Sequence, residues 1–232
     1  MTSGIVIFAR LDSRRMPAKA LKPLHGRVLL GHVIDRCLKA AAGVPVIVAT
    51  PQIEFHDVLN RFATHAGVLT FRGDADDVVG RALACAQAYG LDCLVRISGD
   101  SPFIDPALIE AAIAEFENGE WDIVTNVFPR TYPPGVSVEA IGVEALARVA
   151  SLITDPEDRE HVTRYIYRNP DRFRIRNLAA PDDRYAGVSL AVDTDEDAEK
   201  AAWIMANAGK PAADIALDEA VALARRWAEE RP

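Results

Sequence analysis

Cysteine is scarce in this sequence. The 232 residues include three cysteines, Cys37, Cys85 and Cys93, an odd number with no CxxC spacing. This pattern excludes a disulfide framework and the CxxC motifs of many zinc and redox sites. Because Cys37 and Cys85 fall in segments with helical spacing, we predict that they are small buried apolar residues and not nucleophiles.

Long apolar runs are also lacking. No stretch of apolar residues approaches the length, about 20 residues, that a membrane-spanning helix needs. The amino terminus enters a predicted strand directly and lacks the charged and cleavable apolar segments of a secretory signal. We therefore expect a soluble cytoplasmic protein with no membrane partner.

Positive charge is in deficit overall but concentrated in one place. The chain has 26 Lys and Arg against 34 Asp and Glu, a net charge of −8. This balance argues against a nucleic-acid partner. Yet the stretch FARLDSRRMPAKAL, at 8–21, and the residue that follows it hold a cluster of basic side chains: Arg10, Arg14, Arg15, Lys19 and Lys22. A basic cluster in an acidic chain indicates a small anionic ligand.

The first half of the chain alternates short apolar runs with amphipathic segments. The length and the 50% hydrophobic content suit one α/β core, so we predict a single domain over 1–232. The order predicts a mostly parallel, doubly wound sheet with helices on both faces. The predicted strands are 4–9, 44–50, 68–73 and 93–100, and the predicted helices are 29–41, 54–66, 76–90 and 105–119, the last capped by Asp105.

The second half is less regular. We predict strands at 122–127 and 137–142 around a turn-rich segment, and a single helix over 155–170 that ends before Pro170. Two late strands, 172–179 and 187–194, are expected to pair with each other. Further helices are predicted at 142–153, 195–208 and 217–229.

The basic loop directly follows the first predicted strand. In doubly wound sheets, ligands bind at the carboxyl ends of the strands, where loop N–H groups, Arg and Lys can hold phosphate oxygens. Neither GxxxxGK[ST] nor GxGxxG is present. A solvated basic loop is the simpler explanation for one charged residue. For Arg10, Ser13, Arg15 and Lys19 together, we favour phosphate binding.

Two acidic residues follow predicted strands. Asp100 ends the run RISGD, and Asp193 follows LAV. Carboxylates at that edge can hold Mg²⁺, which takes one or two protein carboxylates together with phosphate oxygens. Asp100 could instead only cap a turn. Thr194 is a suitable N-cap and explains the acidic residues after it, but it does not explain Asp193.

A third region combines aromatic and polar residues in TYPPGVSVEA and EDREHVTRYIYRNP. Its members are Tyr132, Glu139, Arg159, Glu160, His161, Arg164 and Tyr165. Glu160 and Arg164 have the i,i+4 spacing of a surface ion pair. His161 and Tyr165 share a predicted helix face and could line a pocket, although a single His is more often a structural hydrogen-bond donor.

Together these motifs resemble a known family. ARLDSRRMPAKAL is similar to the ARxxSxRxPxKxL signature of the sugar-activating cytidylyltransferases, which make CMP-activated 3-deoxy-manno-octulosonate and CMP-acylneuraminate. The branch of spore coat polysaccharide biosynthesis is the most similar. Its further motifs follow in order at 46–50, 72–81, 96–106, 131–139, 158–170 and 193–197. The likeness therefore extends over residues 4–200.

The resemblance implies a three-layer α/β/α sandwich of the nucleotide-diphospho-sugar transferase type. It also implies transfer of CMP from CTP to a sugar acid, with Mg²⁺ and release of pyrophosphate. Residues 1–120 would be the nucleotide-binding half, and 121–232 would bind the acceptor and complete the metal site. The residues implied to bind CTP are Ala9, Arg10, Ser13, Arg15, Lys19, Arg72 and Ser98. The implied catalytic residues are Arg10, Lys19 and Asp100, and the implied metal ligands are Asp100 and Asp193. The residues implied to bind the acceptor are Tyr132, Glu139 and His161.

The chain departs from the family pattern at two positions. Asp12 and Ala18 stand where the family loop often carries glycine, a residue that permits positive φ or close approach of a phosphate. Two other functions stay open: a glycosyltransferase that uses a preformed nucleotide sugar on a similar sheet, for which VDTDED could be the acidic pair, and a non-catalytic nucleotide-binding relative. A homodimer through 127–142 is a further hypothesis, because Tyr132 and the two prolines after it form a rigid projection.

Overall fold

The computed structural model describes residues 1–13, 15–40 and 43–230. The strands in this part of the chain are β1 (Ser3–Phe8), β2 (Pro23–Leu24), β3 (Arg27–Val28), β4 (Val46–Pro51), β5 (Leu69–Gly73), β6 (Cys93–Ser98), β7 (Ile123–Thr125), β8 (Glu139–Gly142) and β9 (Ile175–Asn177). The α-helices are α1 (Leu29–Ala40), α2 (Asp57–His65), α3 (Val78–Ala88), α4 (Pro106–Glu117), α5 (Val143–Leu152), α6 (Pro156–Glu160), α7 (Arg164–Arg168), α8 (Asp195–Asn207) and α9 (Leu217–Glu230).

Seven of these strands form one sheet in the order β5-β4-β1-β6-β8-β7-β9. The pairs within β5-β4-β1-β6 are parallel, β7 and β9 are parallel, and β8 runs antiparallel to both of its neighbours. The predicted parallel sheet of the first half is therefore confirmed. The inner strands β1, β4 and β6 are largely apolar because both faces are covered, as the full burial of Ile5, Val6 and Ile7 shows.

The two faces of the sheet hold separate hydrophobic clusters. One cluster packs Ile5 and Ile7 against α1, α2, α4, α8 and α9. The other packs Val6 and Ile47 against α3, α5 and α7. Side chains alternate between the two faces along each strand, so the sheet lies between two helical layers. This is the α/β/α sandwich that the resemblance implies.

The prediction of one helix over 155–170 was wrong. The segment forms the short helices α6 and α7, and His161 between them is extended at φ −112° and ψ 96°. The break turns the side chain of Val162 into the second hydrophobic cluster, where it is 1% exposed. Burial of this β-branched residue therefore overrides the local helical pattern.

The prediction of two late strands is confirmed only for the first, which is present as β9, and the pairing of the two with each other was wrong. β9 pairs with β7 at the edge of the sheet. The segment 187–194 is not a strand, because its backbone hydrogen bonds go to loops. Leu190 N donates to Pro134 O at 2.8 Å, and Val192 N donates to Asp100 O at 3.0 Å. The segment therefore crosses the loop that follows β6, and this crossing places Asp193.

Other local predictions are confirmed. Asp105 caps α4 by accepting from Ala107 N, with Pro106 in the first turn. All three cysteines are buried and free. Burial raises the pKa of the Cys85 and Cys93 thiols to about 12, so both are protonated at neutral pH. Within the described part of the chain, no helix has the length and apolar character to span a bilayer.

Candidate active site

A cleft of about 540 Å³ lies at the carboxyl ends of β1 and β6. Parallel strands direct the loops that follow them to the same edge, which is why residues distant in sequence meet here. Most of the residues singled out in the sequence line this cleft: Ala9, Arg10, Ser13, Arg15, Lys19, Ser98, Asp100, His161 and Asp193. Arg14 lies outside the described residues.

The basic loop is fixed by apolar anchors and by hydrogen bonds. Leu11, Met16 and Ala20 are each buried in the first hydrophobic cluster. Leu11 O accepts from Ala18 N at 2.7 Å, and Leu11 N donates to the buried His56 Nδ1 at 3.2 Å. The anchors hold the loop against the sheet while its charged side chains remain at the cleft.

Ala18 adopts a left-handed conformation, with φ 56° and ψ 23°, directly before a short 3-10 helix that begins at Lys19. This is one of the two positions where the family often has glycine, and the backbone here has the positive φ that glycine tolerates best. Asp12, at the other position, has no positive φ. Its carboxylate lies 3.8 Å from Arg10 Nε, so it partly neutralises the positive charge of the loop.

The centre of the cleft is an ammonium held between two carboxylates. Lys19 Nζ lies 2.7 Å from Asp100 Oδ2 and 2.8 Å from Asp193 Oδ1. Arg15 Nη2 contacts the other oxygen of Asp193 at 2.9 Å. The structure therefore brings together Lys19, Asp100 and Asp193, which the sequence places in three separate motifs.

These charges shift the pKa values of the groups that carry them. Burial favours the neutral form of Lys19, but Asp100 and Asp193 together raise the pKa of Lys19 above its ordinary value. Burial likewise favours protonated Asp100, but charge and hydrogen bonds from Lys19, with a hydrogen bond from Ser98, lower the pKa of Asp100. Both groups are therefore charged at neutral pH.

Further arginines surround this centre. Arg10 is half exposed, and its Nη2 lies 3.3 Å from Glu160 Oε1. Arg81 and Arg96 also line the cleft. Among the described lining residues, the cations Arg10, Arg15, Lys19, Arg81 and Arg96 outnumber the carboxylates Asp100, Glu160 and Asp193. The surplus suits a ligand with several negative charges, such as a polyphosphate.

The sequence reasoning assigned no role to Arg81 or Arg96, although a signal was present. Arg81 lies on α3 among apolar neighbours and is 4% exposed, and Arg96 interrupts the apolar run of β6. A charge within a buried element requires a partner or a ligand. Arg81 donates to Asp74 O, and Arg96 is ion-paired with Glu139.

Three residues expected at the site do not line this cleft. Arg72, on the edge strand β5, pairs with Asp57 at 2.8 Å. Tyr132 stacks on Tyr185 with ring centroids 5.3 Å apart. Glu139 is 2% exposed and lies behind Arg96.

The oxygens of Asp100 and Asp193 fit the chemistry of Mg²⁺. Among the described residues there is no group of three or more metal-ligating side chains, so a closed all-protein metal cage is not formed. Both carboxylates already converge on one cation, the Lys19 ammonium. Mg²⁺ commonly uses one or two carboxylates and takes its other ligands from phosphate and water, so this donor set is sufficient.

Known proteins are similar to this chain in sequence and in fold. The chain is 29% identical over 229 residues to the spore coat polysaccharide biosynthesis protein SpsF of Bacillus subtilis, covering 95% of this chain and 93% of that protein. It is 30% identical over 196 residues to a 3-deoxy-manno-octulosonate cytidylyltransferase of Paramagnetospirillum magneticum, covering 77% of this chain and 78% of that protein.

A solved cytidylyltransferase structure from Leptospira borgpetersenii superposes with a TM-score of 0.92 at 27% identity, covering 99% of this chain and 96% of that one. The family profile described as cytidylyltransferase matches residues 5–208, which include the basic loop, Asp100 and Asp193. The chain therefore belongs to the cytidylyltransferase family of nucleotidyltransferases.

Proposed function

We propose that this protein transfers CMP from CTP to a sugar acid and releases pyrophosphate, with Mg²⁺ as cofactor. The observation that carries the proposal is the Lys19 ammonium between Asp100 and Asp193, at a cleft with surplus positive charge. Membership of the family supports the nucleotidyl transfer. The name of the 3-deoxy-manno-octulosonate relative supports CTP and a sugar acid as substrates.

The basic loop would bind the triphosphate. The side chains of Arg10 and Arg15 are 46% and 68% exposed, so they can reorient onto phosphate oxygens at little cost in burial. Lys19 is fixed at the floor of the cleft and provides a point charge there. These groups would neutralise the charge that develops on the departing pyrophosphate.

The reaction needs positioning and charge neutralisation more than a protein nucleophile. The oxygen of an acceptor hydroxyl forms a bond to the α-phosphorus and its proton passes to solvent. The bond from the α-phosphorus to the bridging oxygen breaks, and that oxygen leaves with pyrophosphate. Asp100 and Asp193 would hold Mg²⁺, which when bound supplies positive charge to the phosphate oxygens. Ser98 contributes to the lowered pKa of Asp100 and would help to keep that carboxylate charged.

We assign the two halves of the single domain different tasks. Residues 1–120 provide the loop and Asp100 for the nucleotide. Residues 121–232 provide Asp193 and, through His161, the side of the cleft that would face the acceptor. No nucleic-acid partner is proposed for this acidic chain, and the homodimer and the cytoplasmic location stay predictions from the sequence.

The test is pyrophosphate release with CTP, Mg²⁺ and a panel of 2-keto sugar acids. We expect turnover by the wild type and a loss of about 100-fold or more in Asp100→Asn and Asp193→Asn, because each removes a charged ligand. Asp195→Asn is the matched control, since Asp195 is 80% exposed and pairs with Lys22. It should retain full activity.

Substrate preference separates this proposal from the other functions. Titration calorimetry should show tighter binding of CTP than of CDP or UDP-sugars, because a triphosphate uses more of the cationic surplus. Tighter binding of a UDP-sugar would favour a glycosyltransferase. Binding of CTP without turnover on any acceptor would favour a non-catalytic relative.

A further inference from the structure

A second cavity of about 420 Å³ lies beside the cleft and is formed by the turn between α6 and α7, by α7 and by β6. It shares Arg96 and His161 with the cleft, so the two spaces adjoin at these side chains. Its other polar lining residues are Thr163, Arg164, Tyr167 and Arg168. Among the described residues that line it, there are three arginines and no carboxylate.

Arg96 carries donors that the protein leaves free. Its Nη1 is bonded to Glu139, whereas its Nε is buried and has no hydrogen-bond partner among the described residues. The side chain is 27% exposed, so part of the guanidinium remains accessible from the cavities. An acceptor oxygen that reached the accessible part of the guanidinium would give Arg96 a further hydrogen-bond partner.

A buried glutamate and a partly buried tyrosine fix the orientation of this guanidinium. Glu139 lies opposite Arg96 in the β6–β8 pair. Its second oxygen accepts from the Tyr167 hydroxyl at 2.6 Å, and that hydroxyl lies 2.9 Å from Thr125 Oγ1. Burial raises the pKa of Tyr167 well above its ordinary value, and the charge of Glu139 raises it further. The hydroxyl therefore keeps its proton and stays a hydrogen-bond donor. Arg96 is therefore preorganised, as a residue that orients a planar anion needs to be.

The other two arginines are both ion-paired with carboxylates of α6, although the buried Arg164 Nη1, like Arg96 Nε, has no hydrogen-bond partner among the described residues. Arg164 Nη2 pairs with Glu157 at 2.5 Å, and Arg164 Nη1 lies 3.4 Å from Asp158. Arg168 Nη1 lies 3.6 Å from the same Asp158 oxygen. These pairs hold positive side chains at the far wall, while Arg96 stands at the junction with the cleft.

We propose that this second cavity binds the carboxylate of the acid acceptor, with Arg96 as the ligand and Glu139 and Tyr167 as positioning residues. The inference rests on the proposed function, since it assumes an acidic acceptor beside the nucleotide. A carboxylate on Arg96 accepts bidentate hydrogen bonds, while the rest of the acceptor extends past His161 toward the cleft. In this arrangement Glu139 acts through Arg96 and does not contact the acceptor.

The experiment measures acid binding and nucleotide binding separately. The acid probes are 3-deoxy-manno-octulosonate, N-acetylneuraminate and pyruvate, each compared with its methyl ester, and saturation-transfer NMR measures their binding. Calorimetry measures the binding of CTP. In wild type, at least one acid should bind about tenfold more tightly than its ester, which lacks the charge.

The variants then locate the binding. Arg96→Gln should weaken binding of that acid about tenfold and Tyr167→Phe about threefold, with a smaller change for CTP in each case. Arg96→Lys should recover only part of the loss, because an ammonium lacks the planar fork. Arg176→Gln and Tyr89→Phe are matched controls, since Arg176 pairs with Glu115 and Tyr89 donates to Thr70 O, away from both cavities.

Each result bears on one of the two proposals. Failure of the wild type to bind CTP would contradict the proposed function. Three results would overturn the assignment of the cavity while leaving nucleotide binding intact: no binding of any acid, equal binding of acid and ester, or acid binding that Arg96→Gln leaves unchanged. Equal losses of acid and CTP affinity in Arg96→Gln would also overturn it, because the residue would then serve the nucleotide.

Discussion

Ala18 shows at the scale of one residue how the loop after β1 tolerates an unfavourable side chain. Its φ of 56° costs an alanine roughly 1 kcal/mol relative to glycine. The hydrogen bond from its N–H to Leu11 O and the burial of Met16 and Ala20 hold the turn in place. The loop is therefore set by its neighbours and not by the preference of Ala18.

The first prediction follows from this strain. We expect Ala18→Gly to raise the free energy of unfolding by about 0.5–1 kcal/mol, because it removes the Cβ from a left-handed residue. Ala75→Gly is the control, since Ala75 also lies in a loop but has no positive φ, and it should lower stability. Urea denaturation measures both changes, and a loss of stability in Ala18→Gly would contradict the prediction.

At the scale of elements, the turn at 131–136 positions the segment that carries Asp193. Gly135 has φ 94°, and a Cβ there would lie 2.3 Å from Ala191 N. Pro134 O accepts from Leu190 N in the same contact. A glycine is therefore required at this position by both the positive φ and the close approach of backbone.

The second prediction separates these two requirements. Gly135→Ala should displace the 188–193 segment and reduce pyrophosphate release about tenfold or more, because a displacement of about 1 Å at a reacting site can cost far more than that. Gly187→Ala is the matched control, with φ 75° but no atom within 4 Å of the added Cβ. It should lower stability through strain alone and leave activity intact. Equal activity losses in the two variants would contradict a positioning role.

At the scale of the whole molecule, Asp122 joins parts of the second half that are distant in sequence. Its carboxylate is 9% exposed, accepts from Arg174 N at 2.8 Å just before β9, and pairs with Arg148 of α5 at 2.8 Å. Burial favours its protonated form, but the Arg174 N–H and the Arg148 charge lower the pKa of Asp122 below its ordinary value. The charged form is therefore bound more favourably in the folded state.

The third prediction concerns acid stability. The pKa of Asp122 is lower in the folded than in the unfolded chain. Its contribution to the free energy of unfolding is therefore fully present above the pKa in the unfolded chain, about 4, and is lost as pH falls through the pKa in the folded chain. Asp122→Asn should lower the free energy of unfolding at pH 7 and flatten its decline between about pH 5 and pH 3. Glu120→Gln, at a side chain 94% exposed, is the control and should leave the curve unchanged. A decline as steep in Asp122→Asn as in wild type would contradict the assignment.

Local signals account for the parts of the fold that were predictable. Continuous apolar runs such as the one in β1 can only be buried on both sides, and caps such as Asp105 act within a few residues. The failures were non-local. The break at His161 depends on burying Val162 in a distant cluster, and the course of 187–194 depends on hydrogen bonds to Pro134 and Asp100.

The amino-acid sequence was sufficient to predict the parallel α/β core, the basic loop after β1 and the candidate residues Lys19, Asp100 and Asp193. These follow from the period of apolar residues and from motif order, which are local properties. Three features became visible only in the folded chain: the two carboxylates meet on Lys19, Arg81 and Arg96 join them, and Glu139 lies behind Arg96. The reason is physical: the sheet brings the ends of distant strands to one edge, and the partner of a buried charge is set by packing in space.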